Sequence, residues 1–578
     1  MSVLIALVGF SLLYLVGYRL YSRHLARRVF CLDESEGTPA HDPKLRDGFD
    51  YVPTPRAILW GHHYTSIAGA APIIGPAVAV IWGWVPALLW VTLGTIFIGA
   101  VHDFGALVLS ARRGGHTMAD LAAEVINARV RLLFQVIVYF LIWIVLAVFA
   151  FAVGVLLEQY PASVLPVVVQ TLLALLIGLL FHRKQGGLLL PSLISLVLLY
   201  AAIGGGIQLP ITLHAPVRLG NTTVLPTLLA DTDPVVAWSI VLLIYAAIAS
   251  ALPVWLLLQP RDYINSHQLV VGLILLVAGL MALHPPMAAP ALDLRPAGAP
   301  PLLPVIFVTI ACGAVSGFHG LVSSGTSSKQ LDRMGDARSV GYGGMLGEAA
   351  LAIIATLAVA AGLPDWHSHY SSWNASGIHA IANFVAGASA FLQALWIPER
   401  WAEALVAVLA ISFAATSMDT GARIQRHIVS EVGSTLGVAW LKNRYAATLL
   451  AVGPAVPLVL AGPSVWAPLW LLFGTTNQLI GGLSLLVLFI YLLRARRPVL
   501  HYAIPMAFLA VMTTSAMVYN LVAWTRNLGR DGAQANAITI GLGAAILMLE
   551  LWVLIEAVLL IRRLRHNTHP AVDAEAVG

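Results

Sequence analysis

Trp60-Gly61-His62-His63-Tyr64-Thr65-Ser66-Ile67-Ala68-Gly69-Ala70-Ala71-Pro72-Ile73-Ile74-Gly75-Pro76 is the stretch on which the reading of this chain turns. It lies in an apolar run, 57–82, long enough to cross a bilayer. Yet it holds two imidazoles, two aliphatic hydroxyls, three glycines and two prolines, a composition unsuited to a continuous lipid-facing helix. Irregular backbone at membrane depth persists only where it is buried in protein or lines a cavity, so a span broken here marks a solute pathway. The groups at or beside the break, His62, His63, Thr65, Ser66, Ala68, Gly69 and Gly75, form the candidate substrate-binding set, together with His319 farther along the chain. The function class this implies is a transporter.

Composition agrees. Of 578 residues, 59% are apolar and 10% charged, and a mean hydropathy of +0.85 excludes an ordinary soluble domain. No polar stretch between apolar runs is long enough to bury a core of its own, so the expectation is one all-α integral membrane domain. No HExxH helix, GxSxG elbow or P-loop is present, so an enzyme is not expected and no cofactor is implied. The thirteen residues after Arg565 are too few for a sensor's output domain, and a channel is the other alternative class. Two cysteines, Cys31 and Cys312, exclude a disulfide framework.

Apolar runs place fifteen spans at 3–20, 57–82, 86–110, 131–157, 163–181, 187–206, 234–258, 268–284, 302–323, 341–362, 402–420, 445–461, 464–492, 500–524 and 536–561. With the amino terminus outside, 19–56, 111–131, 182–187, 259–267, 323–340, 419–444, 493–499 and the tail from 562 face inward. Of the 32 Lys and Arg residues, only Arg218, Arg295, Arg400, Arg526 and Arg530 then face outward. This bias obeys the positive-inside rule, places the carboxyl terminus in the cytoplasm, and explains a pI near 9.2 without a nucleic-acid partner. Arg19, Arg23, Arg27 and Arg28 follow the first apolar core, so it reads as an uncleaved span and not a signal peptide. The stretch 379–396 is span-length but polar, and crossing would put Arg423 and Arg426 outside, so it is expected to be re-entrant or interfacial on the outer face.

Several blocks carry a likeness: Gly61-His62-His63-Tyr64 through Pro76, Trp82-Gly83-Trp84-Val85-Pro86-Ala87, Gly99-Ala100-Val101-His102-Asp103-Phe104, Ser110-Ala111-Arg112-Arg113-Gly114-Gly115 and Ser316-Gly317-Phe318-His319 through Gln330. Together, from about residue 50 to about residue 430, the chain resembles the carbon starvation protein A family. That resemblance implies bacterial inner-membrane uptake of pyruvate or small peptides, driven by an ion gradient and often assisted by a small soluble partner protein. Another small carboxylate or an amino acid is the alternative cargo. It also implies kinship with the amino acid–polyamine–organocation superfamily, with its LeuT-like core of two inverted five-helix repeats and discontinuous helices.

Setting span two as the first core helix makes span seven the sixth, with its own interruption at Ser250-Ala251-Leu252-Pro253, and span nine the eighth. The domain division is then 1–56, a core of 57–430 with repeats at 57–206 and 234–420, and peripheral spans in 431–578. An outer half-helix starting near Ala68 or Gly69 would offer free N–H groups to a carboxylate, with His62 and His63 at the break. Two coupling ions compete. Ser323, Ser324, Thr326 and Ser327 offer hydroxyls for sodium, unless they only satisfy neighbouring helices. His62, His63, His102, Asp103 and His319 are groups able to carry a proton, unless Asp103 only pairs with Arg112, Arg113 or His102. Lys329 is either a loop residue or a tethered cation in the sodium position. Adjacent histidines on a helix diverge by roughly 100°, so His62 and His63 are poorly set to chelate one metal. Glu348, Asn477, Gln478, Asn520, Glu550 and Glu556 read as interhelical hydrogen-bonding groups, and Trp82, Trp84, Trp366, Trp373, Trp396, Trp401 and Trp466 as an outer interfacial belt.

Overall fold

The computed structural model describes residues 3–566, apart from 49, 182–188, 220–221, 226, 228–231, 374–376, 378, 436, 463–464 and 530–536. The expected inward loop 182–187, Arg530 and the tail beyond 566 lie outside the described residues. The helices used below begin with α1 (Val3–Val29), α2 (Arg56–Ile67), α3 (Ala71–Trp82) and α4 (Trp84–Arg112). They continue with α5 (Met118–Val125), α6 (Ala128–Gln159), α7 (Pro161–Leu180), α8 (Leu189–Gln208), α9 (Pro234–Ala251) and α10 (Leu258–Leu283). Next come α11 (Leu302–Thr309) and α12 (Gly317–Gly325), α13 (Met334–Ala361) and α14 (Ala380–Gln393), then α15 (Glu399–Thr435). The last are α16 (Arg444–Leu460), α17 (Trp466–Arg494), α18 (Leu500–Asn527) and α19 (Ala537–Arg563). Among the described residues the only strands form a two-stranded hairpin, Val217–Leu219 with Thr222–Leu225.

Twelve helices are long and apolar enough to cross a membrane, or thirteen if α2 and α3 count as one bent span. This falls short of the fifteen spans expected from the apolar runs. The region 302–323 becomes two short helices, and 445–461 becomes the short α16. Local chemistry sets several ends: Asn127 accepts from the N–H groups of Arg129 and Val130 at 3.0 and 3.1 Å, opening the 32-residue α6.

Loops expected on one side do meet. Arg112 binds Glu36 at 2.7 Å, His41 lies 2.8 Å from Asp332, and the Thr54 N–H reaches the Gln330 carbonyl at 3.0 Å. At the other face the Asp293 N–H reaches the Trp82 carbonyl at 2.8 Å, and the Trp82 and Trp373 rings pack 5.1 Å apart.

Two breaks organise the centre. Between α2 and α3 the axis bends by 47°. Pro72 cannot donate to the Ala68 carbonyl, and Ala68 leaves the helix at φ −77°, ψ 67°. The second break, Ile310–Ser316 between α11 and α12, and the helix ends beside it take several backbone hydrogen bonds from side chains of other helices. Trp90 Nε1 donates to the Ile310 carbonyl at 3.0 Å, Thr95 to Gly313 at 3.2 Å, and Gln478 to Phe307 at 2.6 Å. Asn477 Oδ1 accepts from the Phe318 N–H at 2.9 Å and so caps α12. The breaks adjoin: a Cβ on Gly75 would lie 2.6 Å from the Thr309 carbonyl oxygen.

The interruption expected at Ser250–Pro253 falls at the end of α9, where the connection 252–257 to α10 begins, and each of the two helices is long enough to span alone. Consequently 259–267 is not a loop. It is the start of α10, with Arg261 and Asp262 each 1% exposed. The segment 379–396 forms α14, buried on most of its surface, with Gly387 against the Ala358 carbonyl of α13 and Phe391 against Gly279 of α10. It is inserted among helices, as a re-entrant element is, and does not lie on the surface. The tryptophan belt also needs correction: Trp82, Trp84, Trp366, Trp373 and Trp466 are buried, and only Trp396 and Trp401 are exposed. Stacking among aromatics, such as Trp366 on Tyr370 at 4.8 Å, accounts for that burial.

Candidate functional site

Every residue from Gly61 to Trp84 is buried. His62 and His63 sit in regular helix, with the break beginning at Ala68, so they do not occupy the break itself. They diverge. His62 Nδ1 lies 2.7 Å from Asp262 Oδ2, while His63 Nδ1 lies 2.8 Å from Ser327 Oγ. Both Nε2 atoms, the Ser66 hydroxyl and Asp262 Oδ1 are buried without a hydrogen-bond partner. The Thr65 hydroxyl donates back to the Gly61 carbonyl at 2.8 Å, and Ser417 of α15 approaches the Ser66 carbonyl at 3.4 Å. Gly69 permits that approach, since a Cβ there would stand 2.5 Å from Ser417 Oγ. The outer half-helix starts at Ala71, two or three residues later than expected. Pro72 has no N–H, Ile73 and Ile74 donate to the Ala70 carbonyl, and among the described residues the Ala70 and Ala71 N–H groups have no acceptor. Gly75 packs on the second break and does not face this end.

A second cluster links three helices. Asp103 of α4 accepts from both His102 and His319, with Oδ1 2.7 Å from His102 Nδ1 and Oδ2 3.1 Å from His319 Nδ1. His319 of α12 in turn places Nε2 3.2 Å from Glu348 Oε2 of α13. All of these side chains are fully buried. Asp103 therefore pairs with His102 but not with Arg112 or Arg113, whose carboxylate partners are Glu36 and Glu124. The crowding is tight: a Cβ on Gly320 would meet the His102 ring at 2.8 Å.

The four hydroxyls proposed for sodium do not converge. Ser324 donates to the Gly320 carbonyl at 2.7 Å and accepts from the Met118 N–H, Thr326 donates to Val322 at 2.8 Å, and Ser327 meets His63. Such back-bonding is the usual state of hydroxyls in membrane helices. Ser323 alone has a buried, unpartnered oxygen. Lys329 lies with its ammonium 5.4 Å from the Tyr51 ring, at the face where Tyr51 meets Gly114.

Sequence reasoning missed Asp262, the ion pair of Arg261 with Asp419 that Tyr245 joins at 2.8 Å, and the amide cluster of Gln170, Asn265, Gln268 and Thr416. It placed Glu348 among groups that only join helices. One available signal was that 259–267 is a nine-residue gap with a single Arg and a single Asp between two apolar runs, short enough for one helix to continue through it. Of the peripheral residues, Glu550 accepts from Thr514 at 2.9 Å, an interhelical bond as expected.

Comparison with known proteins agrees with this picture of a membrane protein. The model of the family described as carbon starvation protein CstA matches residues 1–376 and 367–516. A peptide transporter CstA of Bacillus subtilis is 31% identical over 543 residues, covering 87% of this chain and 88% of that protein. A peptide transporter CstA of Mycobacterium tuberculosis is 31% identical over 549 residues, covering 84% of this chain and 70% of that protein. The pyruvate/proton symporter BtsT of Escherichia coli is 37% identical over 353 residues, covering 60% of this chain and 47% of that protein. Among solved structures, MhsT in complex with L-phenylalanine aligns with a TM-score of 0.47 at 12% identity, over 87% of this chain and 99% of that one. The chain belongs to the carbon starvation protein CstA family.

Proposed function

We propose that this chain is a secondary transporter that imports pyruvate or small peptides together with protons by alternating access. The observation that carries the proton assignment is the buried chain Asp103–His319–Glu348, with His102 at its end. With His319 charged and both carboxylates ionised, the cluster holds one uncompensated negative charge inside the membrane, which is costly. One added proton neutralises it, and His319, hydrogen-bonded to Asp103 and 3.2 Å from a Glu348 carboxylate that has no hydrogen bond of its own, stands between the two acids. No Lys or Arg is bonded to the cluster among the described residues, so the charge balance depends on protons.

The cargo carboxylate would lie at the α2–α3 break, where the free Ala70 and Ala71 N–H groups and the positive end of α3 are the donors. The names of the relatives, peptide transporter and pyruvate/proton symporter, fit both cargo and ion. We further assign the face carrying Glu36, Arg112 and Asp332 to the cytoplasm of a bacterial inner membrane, with the amino terminus outside, because the arginine bias favours it. The two-repeat organisation at 57–206 and 234–420 is supported by an equal count of five membrane segments in each, once the bent and broken spans are counted as one apiece. It lacks a matching break in span seven.

The test is uptake into proteoliposomes, with proton and sodium gradients imposed separately. Pyruvate or a dipeptide should accumulate with an inward proton gradient, and equally well with choline replacing sodium. Accumulation that needs sodium would transfer the coupling role to Ser323 and its neighbours; no uptake of either cargo would refute the transport reading.

A further inference from the structure

We propose that the groove between α1, α4, α11 and α18 holds one anionic phospholipid, with an acyl chain along the groove and the phosphate at His24 and His501. The groove encloses about 620 Å³, within the range of about 300–1,000 Å³ typical of ligand pockets. Leu89, Leu93 and Phe97 of α4, Leu303 of α11 and Ile504 of α18 form its rim, each at least 45% exposed, so it opens toward the bilayer. Its floor is aromatic: the Trp90 ring lies 4.7 Å from Phe307 and 5.7 Å from Phe508, which are 5.1 Å apart. The α4 wall runs from Pro86 to Ile98. That is about 18 Å of helix, slightly more than one leaflet of a hydrocarbon core about 30 Å thick, so a single acyl chain lies along it.

A polar end distinguishes this groove from plain lipid-facing surface. The Tyr21 hydroxyl lies 3.0 Å from His501 Nδ1, and His501 Nε2 lies 3.2 Å from His24 Nε2. A phenol donating to Nδ1 leaves His501 to donate from Nε2, which puts the proton of the exposed His24 on Nδ1, free for a phosphate oxygen. Arginines crowd the same end. Arg23, Arg27 and Arg28 follow Tyr21 on α1, and Arg494, Arg496 and Arg497 precede His501. Arg497 reaches Cys31 Sγ at 2.8 Å and Arg112 reaches the Phe30 carbonyl at 2.9 Å, so both sets share the face on which Arg112 meets Glu36. Among the described residues none of the six pairs with a carboxylate. Uncompensated cations at the mouth of a groove between membrane helices are the chemistry that holds an anionic headgroup. A zwitterionic headgroup brings its own ammonium and gains less.

Occupancy reaches the centre of the protein through the floor. Trp90 donates to the Ile310 carbonyl at the second break, and Phe307, packed on Trp90, lends its carbonyl to Gln478. A chain in the groove presses these rings against α11 and so supports the irregular backbone behind them.

The experiment uses full-length protein in detergent, read by native mass spectrometry and thermal unfolding. The probes are phosphatidylglycerol, phosphatidylcholine with the same acyl chains, and glycerol 3-phosphate. Wild type should retain one phosphatidylglycerol per chain and melt about 5 °C higher with it, while phosphatidylcholine gives less than about a third of that shift and glycerol 3-phosphate none. L89W and L93W fill the groove from its exposed rim, and H24L/H501L removes its polar end. Each variant should melt like wild type without lipid and lose most of the shift. Equal shifts with the two phospholipids, a shift with glycerol 3-phosphate alone, variants that keep the wild-type shift, or variants that all fail to fold overturn the proposal. A dimer that L89W and L93W both dissociate would put a second copy of the chain in the groove and overturn it as well.

Discussion

Replacing Glu348 with Gln should uncouple transport from the proton gradient while leaving the carrier able to exchange substrate. The Glu348 carboxylate lies 3.2 Å from His319 Nε2, and His319 also contacts Asp103 at 3.1 Å. In E348Q the Asp103–His319 pair remains and is neutral overall, so the buried cluster has no charge deficit to draw in a proton. The substitution preserves volume and removes a negative charge from a net-negative buried group, so stability should be unchanged or raised by about 1 kcal/mol. For pyruvate carried with one proton the cycle is electroneutral, and one unit of pH difference is worth about 1.4 kcal/mol, a limit of about tenfold accumulation. For a zwitterionic peptide the same proton moves a net charge, so 100 mV adds about 2.3 kcal/mol, or about 50-fold. Proteoliposomes loaded at higher internal pH should accumulate pyruvate toward the tenfold limit with wild type and not at all with E348Q. Counterflow of labelled pyruvate should stay within about threefold of wild type, as the cargo site is untouched. If E348Q still accumulates pyruvate to the wild-type ratio, proton coupling through this cluster is wrong.

Three further outcomes are expected. His62→Ala should lower uptake at least about 100-fold without loss of insertion, and Asp262→Asn, which loosens the hold on His62, should lower it less, while Glu550→Gln at the periphery leaves uptake unchanged; initial rates normalised to membrane protein check all three. Gly75→Ala should destabilise by about 1–3 kcal/mol, because its Cβ would meet the Thr309 carbonyl at 2.6 Å, whereas Gly541→Ala, with open space around it, should be neutral or better in thermal unfolding. Asn477→Ala should cost about 1 kcal/mol by uncapping α12, read in the same melt.

The broken second span was legible because its cause is local: proline chemistry at Pro72 and small residues around Gly69 declare themselves in a dozen residues. The alternation of faces was legible for a similar reason, since each basic loop is read from its own residues, and the contacts between Arg112 and Glu36 or His41 and Asp332 agree with it. The break in span nine was not, because 302–323 is apolar throughout its first half and nothing nearby forbids a helix. Its irregular backbone is stable only because Trp90, Thr95, Asn477 and Gln478 supply bonds from two other helices. A residue such as Asn477, read alone, is interhelical glue. Its actual role, capping a helix that starts in mid-membrane, depends on a partner some 160 positions away.

The same logic separates what was found of the site from what was not. His102, Asp103 and His319 stood out because each is an ionisable group in an apolar run, and the cost of burying such groups makes them conspicuous one at a time. Arg261 and Asp262 are as costly, but they fell between two apolar runs, where charge reads as solvent-exposed loop. Asp419 fell at the end of its run and was absorbed into the next loop in the same way. What rescues these charges at depth is mutual: Arg261 with Asp419 and Tyr245, Asp262 with His62. A hydropathy profile counts each residue against water and cannot register that a cation on α10 and an anion on α15 offset one another. Buried charges of this kind are therefore the ones a profile assigns to loops, and the diagnostic is a loop too short to be needed. The nine residues 259–267 are such a stretch: α10 runs straight through them, and they hold Arg261 and Asp262.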